Sequence, residues 1–105
     1  MRRLLALGRP PTAVFAESDE LAFGALSALR RAGVSVPDQV SVIGFDDHEL
    51  SSLLDLTTIR QGVFEQGVLA ARMLRRAIAG ESSATEELLM PTSLVLRSST
   101  GPAPA

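Results

Sequence analysis

Apolar stretches alternate with polar, glycine- or proline-containing links along the chain, and the alternation predicts short strands and helices. Residues 40–45, Val-Ser-Val-Ile-Gly-Phe, are rich in β-branched and aromatic residues and predict a buried strand. Residues 12–16 and 57–60 predict two further short strands. Between the strands predicted at 12–16 and 40–45, a helix is predicted from 19 to 32, ended by Gly33. Its apolar face is predicted from residues at helical spacing, namely Leu21, Ala25, Leu29 and Ala32.

Most of the remaining pattern is helical. Residues 2–7 resemble the last turns of a helix, and residues 49–54 predict a short helix. The longest helical pattern covers residues 63–79, and residues 88–97 read as extended chain after a polar link at 82–83. The apolar face of the longest helix is predicted from Phe64, Gly67, Val68, Ala71, Leu74 and Ile78.

The order strand, helix, strand with short links is typical of a βαβ unit, and it predicts an α/β fold with a parallel sheet and flanking helices. The pattern opens on a helix end, and only three or four strands follow, fewer than a doubly wound sheet normally has. We therefore expect the chain to be the last part of a longer, truncated arrangement. Residues 101–105, Gly-Pro-Ala-Pro-Ala, are expected to form a disordered tail.

Composition narrows the classes of function. A length of 105 residues allows one domain at most. The absence of cysteine excludes disulfides and thiolate sites, and a single histidine makes a metal site improbable, so no metal and no cofactor are expected. The net charge of −2 gives no broad basic footprint for nucleic acid. The apolar start ends at residues 8–11, too short for an export signal or a membrane span, which predicts a cytoplasmic protein away from membranes.

Two carboxylates, Asp46 and Asp47, follow the predicted strand 40–45. In open α/β folds, ligands bind outside the carboxyl ends of the strands. From the residues alone, however, Asp46 is more readily explained as a cap for the helix at 49–54. His48 is expected to be a solvated loop residue. No Ser-His-Asp arrangement, glycine-rich phosphate loop or lysine accompanies these acids, so no catalytic residues and no enzyme are expected.

Five segments in this order resemble the C-terminal part of the sensor domain of lactose/galactose-repressor (LacI/GalR) family transcriptional regulators, over about residues 10–100. Each segment alone is a weak indication of this family, but the five segments in this order and at this spacing are a specific one. The segments are Pro-Thr-Ala-Val-Phe-Ala at 11–16, Ser-Asp-Glu-Leu-Ala-Phe-Gly-Ala-Leu at 18–26, Val-Pro-Asp-Gln-Val-Ser-Val-Ile-Gly-Phe-Asp-Asp at 36–47, Leu-Thr-Thr-Ile-Arg-Gln at 56–61 and Leu-Val-Leu-Arg-Ser-Ser at 94–99.

This resemblance implies a partial type I periplasmic-binding-protein-like fold, in which two α/β lobes enclose a ligand cleft. Residues 1–100 would form the C-terminal portion of the sensor domain. Residues up to about 61 would belong to the second lobe and the helix at 63–79 to the first. Residues 94–97 would return to the second lobe. Most of the first lobe and the helix-turn-helix segment would lie outside these residues.

The resemblance also implies roles for three polar residues. Asp46 would reach into the cleft and accept hydrogen bonds from ligand hydroxyls, which leaves Asp47 as the cap of the short helix. Gln61 would lie at a lobe crossover beside the ligand. Ser18 stands where relatives often carry an asparagine that touches the ligand, and either Ser18 or Asp19 could instead cap the first long helix.

The function implied is the sensing of a small molecule, most often a sugar, to control operator DNA that a missing N-terminal domain would contact. A homodimer of the full-length form is expected, with Leu50, Leu53 and Leu54 near the subunit interface. The alternatives are a fragment of a periplasmic-type sugar-binding protein and a non-functional truncated remnant. Without a first-lobe sheet, the helix at 63–79 would expose its apolar face and promote association.

Overall fold

The computed structural model describes residues 1–81 and 87–104. The chain divides into two compact units, one formed by Met1–Arg60 with Ser93–Ala105 and the other by Gln61–Thr92. The predicted polar link at 82–83 and the last residue of the predicted tail lie outside the described residues.

The first unit contains a four-stranded sheet. Its strands are β1 (Ala13–Phe15), β2 (Ser41–Phe45), β3 (Thr57–Arg60) and β4 (Ser93–Val95), adjacent in that order. The β1–β2 and β2–β3 pairs are parallel, with Val14 opposite Val42 and Gly44 opposite Thr58, whereas β4 runs antiparallel to β3. The predicted α/β class with a mostly parallel sheet is confirmed.

Within residues 1–81 and 87–104, four helices accompany the strands. The first unit contains α1 (Arg2–Leu5), α2 (Asp19–Arg31) and α3 (Glu49–Leu53), and the second contains α4 (Val63–Ile78). Helices α2 and α4 each end two residues before a positive-φ glycine, which is Gly33 for α2 and Gly80 for α4. Each predicted helix is present, within two residues of its expected bounds at either end, because capping residues and glycines are local signals.

The core of the first unit is small and aliphatic. Its buried hydrophobic residues are Ala16, Ala22, Leu29, Val40, Val42 and Leu56. The predicted apolar face of α2 is confirmed at Leu29, which is buried, and is wrong at Leu21, which is 60% exposed. The helix also buries Ala22 and Asp19, and apolar periodicity does not reveal that a carboxylate belongs to the buried face.

Hydrogen bonds join the segment after β4 to β2 and β3. The Thr57 amide donates to Oγ of Ser99 (2.8 Å), and that hydroxyl donates to the carbonyl of Val42 (2.6 Å). Gly101, the first residue of the predicted tail, donates its amide to Oγ of Ser41 (3.1 Å). The chain is therefore tied to β2 up to Gly101, and residues 102–104 are exposed without regular secondary structure.

The second unit is dominated by α4. The helix begins after Gly62, which adopts the left-handed conformation with φ 60°. Phe64 and Ile78 are each 79% exposed and Leu74 is 62% exposed, so the predicted apolar face of this helix is open in the 105-residue chain. Across residues 1–81 and 87–104, we find no helix with the length and apolarity needed to cross a bilayer.

Candidate ligand-binding site

The predicted site residues follow the carboxyl ends of neighbouring strands. Because β1, β2 and β3 are parallel, their carboxyl ends meet at one edge of the sheet. Asp46 directly follows β2, and Ser18 opens α2 three residues after the end of β1. The fold thus brings Ser18 and Asp46 to one edge of the first unit, while Gln61, directly after β3, begins the second unit.

Ser18 is the N-cap of α2. Its backbone is extended (φ −147°, ψ 161°), and its Oγ accepts a hydrogen bond from the Leu21 amide at 3.3 Å. Of the two capping candidates in the sequence, Ser18 therefore takes the role and Asp19 does not. Serine is a favoured N-cap because its short hydroxyl satisfies an amide that the helix leaves unpaired.

Asp19 is fully buried and lies at the centre of a polar network. Its Oδ2 accepts hydrogen bonds from the His48 amide (2.7 Å) and from Oγ of Ser51 (2.5 Å). Its Oδ1 accepts from Oγ1 of Thr58 at 2.6 Å. Three donors compensate the loss of water around the carboxylate, so a residue type that is normally exposed is stable here. Asp19 was not among the predicted site residues.

Gly44 is the one sequence signal that could have pointed to Asp19. A Cβ atom at Gly44 would collide with Oδ1 of Asp19, so β2 must carry glycine at this position. A glycine inside a strand often marks the close approach of another group. The sequence placed Gly44 in the predicted strand, but it did not identify the Asp19 carboxylate as the group beside that glycine.

Asp46 and Asp47 form a tight turn between β2 and α3. Both have positive φ angles, 116° and 54°, which are uncommon for residues other than glycine. The Asp46 amide donates to the carbonyl of Ile59 (2.9 Å), and the Asp47 amide donates to Oγ1 of Thr58 (3.3 Å). Hydrogen bonds to β3 therefore hold the turn in an unfavourable backbone conformation.

Asp47 is paired with two arginines rather than with a helix end. Its Oδ2 lies 2.6 Å from Nη2 of Arg60, and its Oδ1 lies 2.9 Å from Nη2 of Arg97. Burial by itself would raise the pKa of Asp47, but the hydrogen bonds and charges of Arg97 and Arg60 outweigh it and lower that pKa below its ordinary value. The expectation that Asp47 caps the short helix is wrong, because both of its oxygens are taken by guanidinium groups.

His48 is the N-cap of α3. Its Nδ1 accepts a hydrogen bond from the Leu50 amide at 3.1 Å. Its ring packs edge-on against Phe23, with centroids 5.8 Å apart and an interplanar angle of 81°. The expectation of a solvated loop residue is wrong, since His48 is half-buried and orders the start of α3.

The chemistry at this sheet edge suits a neutral, hydroxyl-rich molecule. The half-buried carboxylate of Asp46 can accept two hydrogen bonds side by side, as vicinal hydroxyls would require. Among the residues described, no group of three or more histidine, aspartate or glutamate side chains is placed to hold a metal ion. The arrangement favours binding through hydrogen bonds.

Comparison with known proteins assigns this architecture to a family. A family model for the periplasmic binding protein-like domain matches residues 1–100. The HTH-type transcriptional repressor CytR of Escherichia coli K12 is 43% identical over 102 residues, which are 95% of this chain and 30% of that protein. The chain spans about 30% of the length of the curated relatives it matches.

Solved structures show the same fold. A LacI family regulator from Enterococcus faecium with bound ribose has a TM-score of 0.82 and 38% identity, over 96% of this chain and 38% of that one. The Lac repressor dimer bound to operator and the anti-inducer ONPF has a TM-score of 0.84 and 35% identity, over 93% of this chain and 35% of that one. Both similarities cover nearly all of the 105 residues.

Proposed function

The chain belongs to the periplasmic binding protein-like domain family, as found in LacI-family transcriptional regulators, and on that premise we propose that it is the C-terminal portion of a sugar-sensing domain. Its relatives are transcriptional repressors and not enzymes, which fits a binding role without turnover. They also favour a regulator over the periplasmic-type alternative. The sensing portion would be residues 1–100, followed by a short tail.

One observation carries this proposal: adjacent parallel strands place polar residues at one edge of the sheet. Asp46 would accept hydrogen bonds from vicinal hydroxyls of the sugar. Asp47 does not compete for the ligand, because Arg60 and Arg97 already bind its carboxylate. Gln61 would bind from the start of the second unit, and Ser18, already a helix cap, would make a shorter-range contact.

The proposed mechanism is allosteric. A sugar that binds Asp46 and Gln61 would favour one arrangement of the two lobes of the complete sensor over the other. Only such a differential affinity can shift a conformational equilibrium. In the complete regulator, the shift would alter how a DNA-binding segment outside these 105 residues contacts operator DNA in the cytoplasm. The operator-bound Lac repressor dimer is a structural precedent for that arrangement.

The proposed partner surface is apolar and lies on α2 and α3. A groove of about 330 Å³ is lined by Phe23, Leu26, Ser27, Arg30 and Leu54. Beside it Leu53 is 77% exposed and Leu50 is 44% exposed. An apolar patch of this kind would be buried against a second copy in a two-fold homodimer.

The test of sugar binding is a thermal melt of the full-length native protein against a panel of D-ribose, D-glucose, D-galactose, sucrose and cellobiose. We expect at least one sugar to raise the melting temperature, and Asp46→Asn to abolish that rise. The matched control is Asp38→Asn, an exposed aspartate that precedes β2 rather than following it. Loss of the shift in both variants, or in neither, would refute Asp46 as a ligand contact.

A second measurement tests the regulator itself. The intact mass of the product in source cells, with its N-terminus defined, should correspond to about three times this chain, because relatives are covered to only 30%. A product of 11.1 kDa that begins at Met1 would contradict the regulator function and favour a remnant.

A further inference from the structure

The buried carboxylate of Asp19 connects three elements that surround the Asp46–Asp47 turn. It accepts hydrogen bonds from the His48 amide just after the turn, from Ser51 in α3 and from Thr58 in β3. Asp19 itself begins α2, directly after Ser18. One side chain with no exposed surface therefore links α2, α3, β3 and the end of the turn.

Thr58 extends this network to the turn. Its hydroxyl donates to Oδ1 of Asp19 (2.6 Å) and accepts from the Asp47 amide (3.3 Å). A hydroxyl has a single proton, so donation to Asp19 leaves only lone pairs for other partners. Asp19 thereby makes the Thr58 hydroxyl a hydrogen-bond acceptor toward the Asp47 amide, which is a donor.

The turn needs such support because both of its residues have positive φ. Conformations of this kind are unfavourable for residues other than glycine and persist only where the surroundings enforce them. The Asp46 amide donates to the carbonyl of Ile59. The Asp47 amide donates to Thr58, whose hydroxyl donates to Asp19, and the His48 amide donates to Asp19 directly. Three successive amides are therefore fixed, and two of them depend on Asp19.

We infer that Asp19, acting through Thr58 and the His48 amide, is a positioning residue that sets the backbone of Asp46 for ligand binding. The inference rests on the proposed function, because it assigns to Asp19 the orientation of a residue proposed to touch the sugar. Asp19 itself has no exposed surface, so we do not assign it a ligand contact. Ser51 ties the same carboxylate to α3 and serves stability rather than the turn.

The experiment compares Thr58→Val with Thr57→Val in the full-length native protein. Both changes remove a buried hydroxyl and keep the side-chain shape, and the two residues are 0% and 1% exposed. Only Thr58 contacts the turn, since Thr57 Oγ1 bonds to the backbone of Arg97 and to Thr100. Thr58→Ser retains the hydroxyl and is the rescue variant.

Two readouts separate positioning from stability. Amide hydrogen exchange of Asp47, followed by NMR without sugar, should be at least tenfold faster in Thr58→Val than in Thr57→Val. The dissociation constant for the panel sugar with the largest melting shift should rise about tenfold in Thr58→Val only. Thr58→Ser should restore both values. If Thr58→Val does not fold, Asp19→Asn, which removes an acceptor without changing size, is measured in the same way.

The outcomes distinguish this inference from the proposed function. If Asp46→Asn abolishes binding while Thr58→Val and Thr57→Val exchange and bind alike, the inference is overturned and the proposed function stands. If Asp46→Asn binds every panel sugar as the wild type does, the ligand site is wrong. If no panel sugar binds, equal Asp47 exchange rates in the two valine variants overturn the inference, and a tenfold difference supports Asp19 as the residue that sets the turn.

Discussion

Gly44 and Asp19 occupy adjoining space, and any side chain at Gly44 would overlap Oδ1 of the buried Asp19 carboxylate. Gly44→Ala should therefore force apart β2 and the start of α2, and disturb the hydrogen bonds that Asp19 accepts. We expect a loss of about 3 kcal/mol in the free energy of unfolding, from overpacking and imperfectly paired polar groups. Urea unfolding followed by circular dichroism measures it.

Gly24→Ala is the matched control, because Gly24 lies inside α2 and no heavy atom lies within 4 Å of an added Cβ there. Alanine is the better helix former, so this variant should gain roughly 0.5–1 kcal/mol. Equal effects of the two substitutions would mean that the contact between Gly44 and Asp19 does not constrain the fold.

The same pair of residues marks the limit of what the sequence could predict. The bounds of β3 and the start of α4 at Val63 followed from local patterns of apolar, polar and glycine residues. The burial of Asp19 depends on Ser51 and Thr58, which are 32 and 39 residues away along the chain. Local periodicity carries no information about such partners, so the sequence offered Asp19 only as a possible helix cap.

The candidate site shows a similar division. Asp46 could be placed at the end of a strand because strand ends are visible in the sequence, whereas its contact with ligand is implied only by the family resemblance. The role of Asp47 could not be predicted, since its partner Arg97 is 50 residues away. Aspartate is a favoured N-cap residue, which is why the sequence predicts a cap at Asp47. The carboxylate instead pairs with Arg97, which is remote in the sequence. The ligand contacts of Asp46, Gln61 and Ser18 remain predictions.

Asp47 should make stability depend on pH in the acid range. Its pKa is lowered in the folded protein, so its contribution is present above the unfolded pKa of about 3.9 and is lost as pH falls through the folded value. Asp47→Asn removes this titration. We expect the variant to be less stable than the wild type at pH 7, with a difference that narrows below about pH 4. Urea midpoints at pH 7, 5, 4 and 3 test this, and a difference that stays constant with pH would contradict it.

The two arginines bound to Asp47 should contribute unequally. The Arg97 side chain is 18% exposed and also donates from Nη1 to the carbonyl of Leu56 (2.7 Å), whereas the Arg60 side chain is 59% exposed. Arg97→Ala should cost about 2–4 kcal/mol, because it leaves the half-buried Asp47 carboxylate and the Leu56 carbonyl with fewer partners. Arg60→Ala should cost less than about 1 kcal/mol, as exposed ion pairs do. Equal unfolding free energies for the two variants would show that burial does not govern this cluster.

The apolar face of α4 should control association of the isolated 105-residue chain. Phe64 and Ile78 are each 79% exposed, and such surface promotes contact between copies. The double variant Phe64→Gln with Ile78→Gln should sediment with less oligomer at about 100 μM while its melting temperature stays within a few degrees, since neither side chain is buried. The matched control is Arg72→Gln with Arg75→Gln, two exposed residues of the same helix, which should leave association unchanged or increased.

In the longer product, the Phe64 and Ile78 substitutions should have the opposite consequence. If the remaining first-lobe sheet covers α4, each side chain becomes buried and contributes about 1.5–3 kcal/mol. The double variant should then lower the unfolding free energy of that product, although it improves the behaviour of the short chain. A longer product whose stability is unaffected would show that α4 stays open there as well, and that residues 63–78 do not belong to a first lobe.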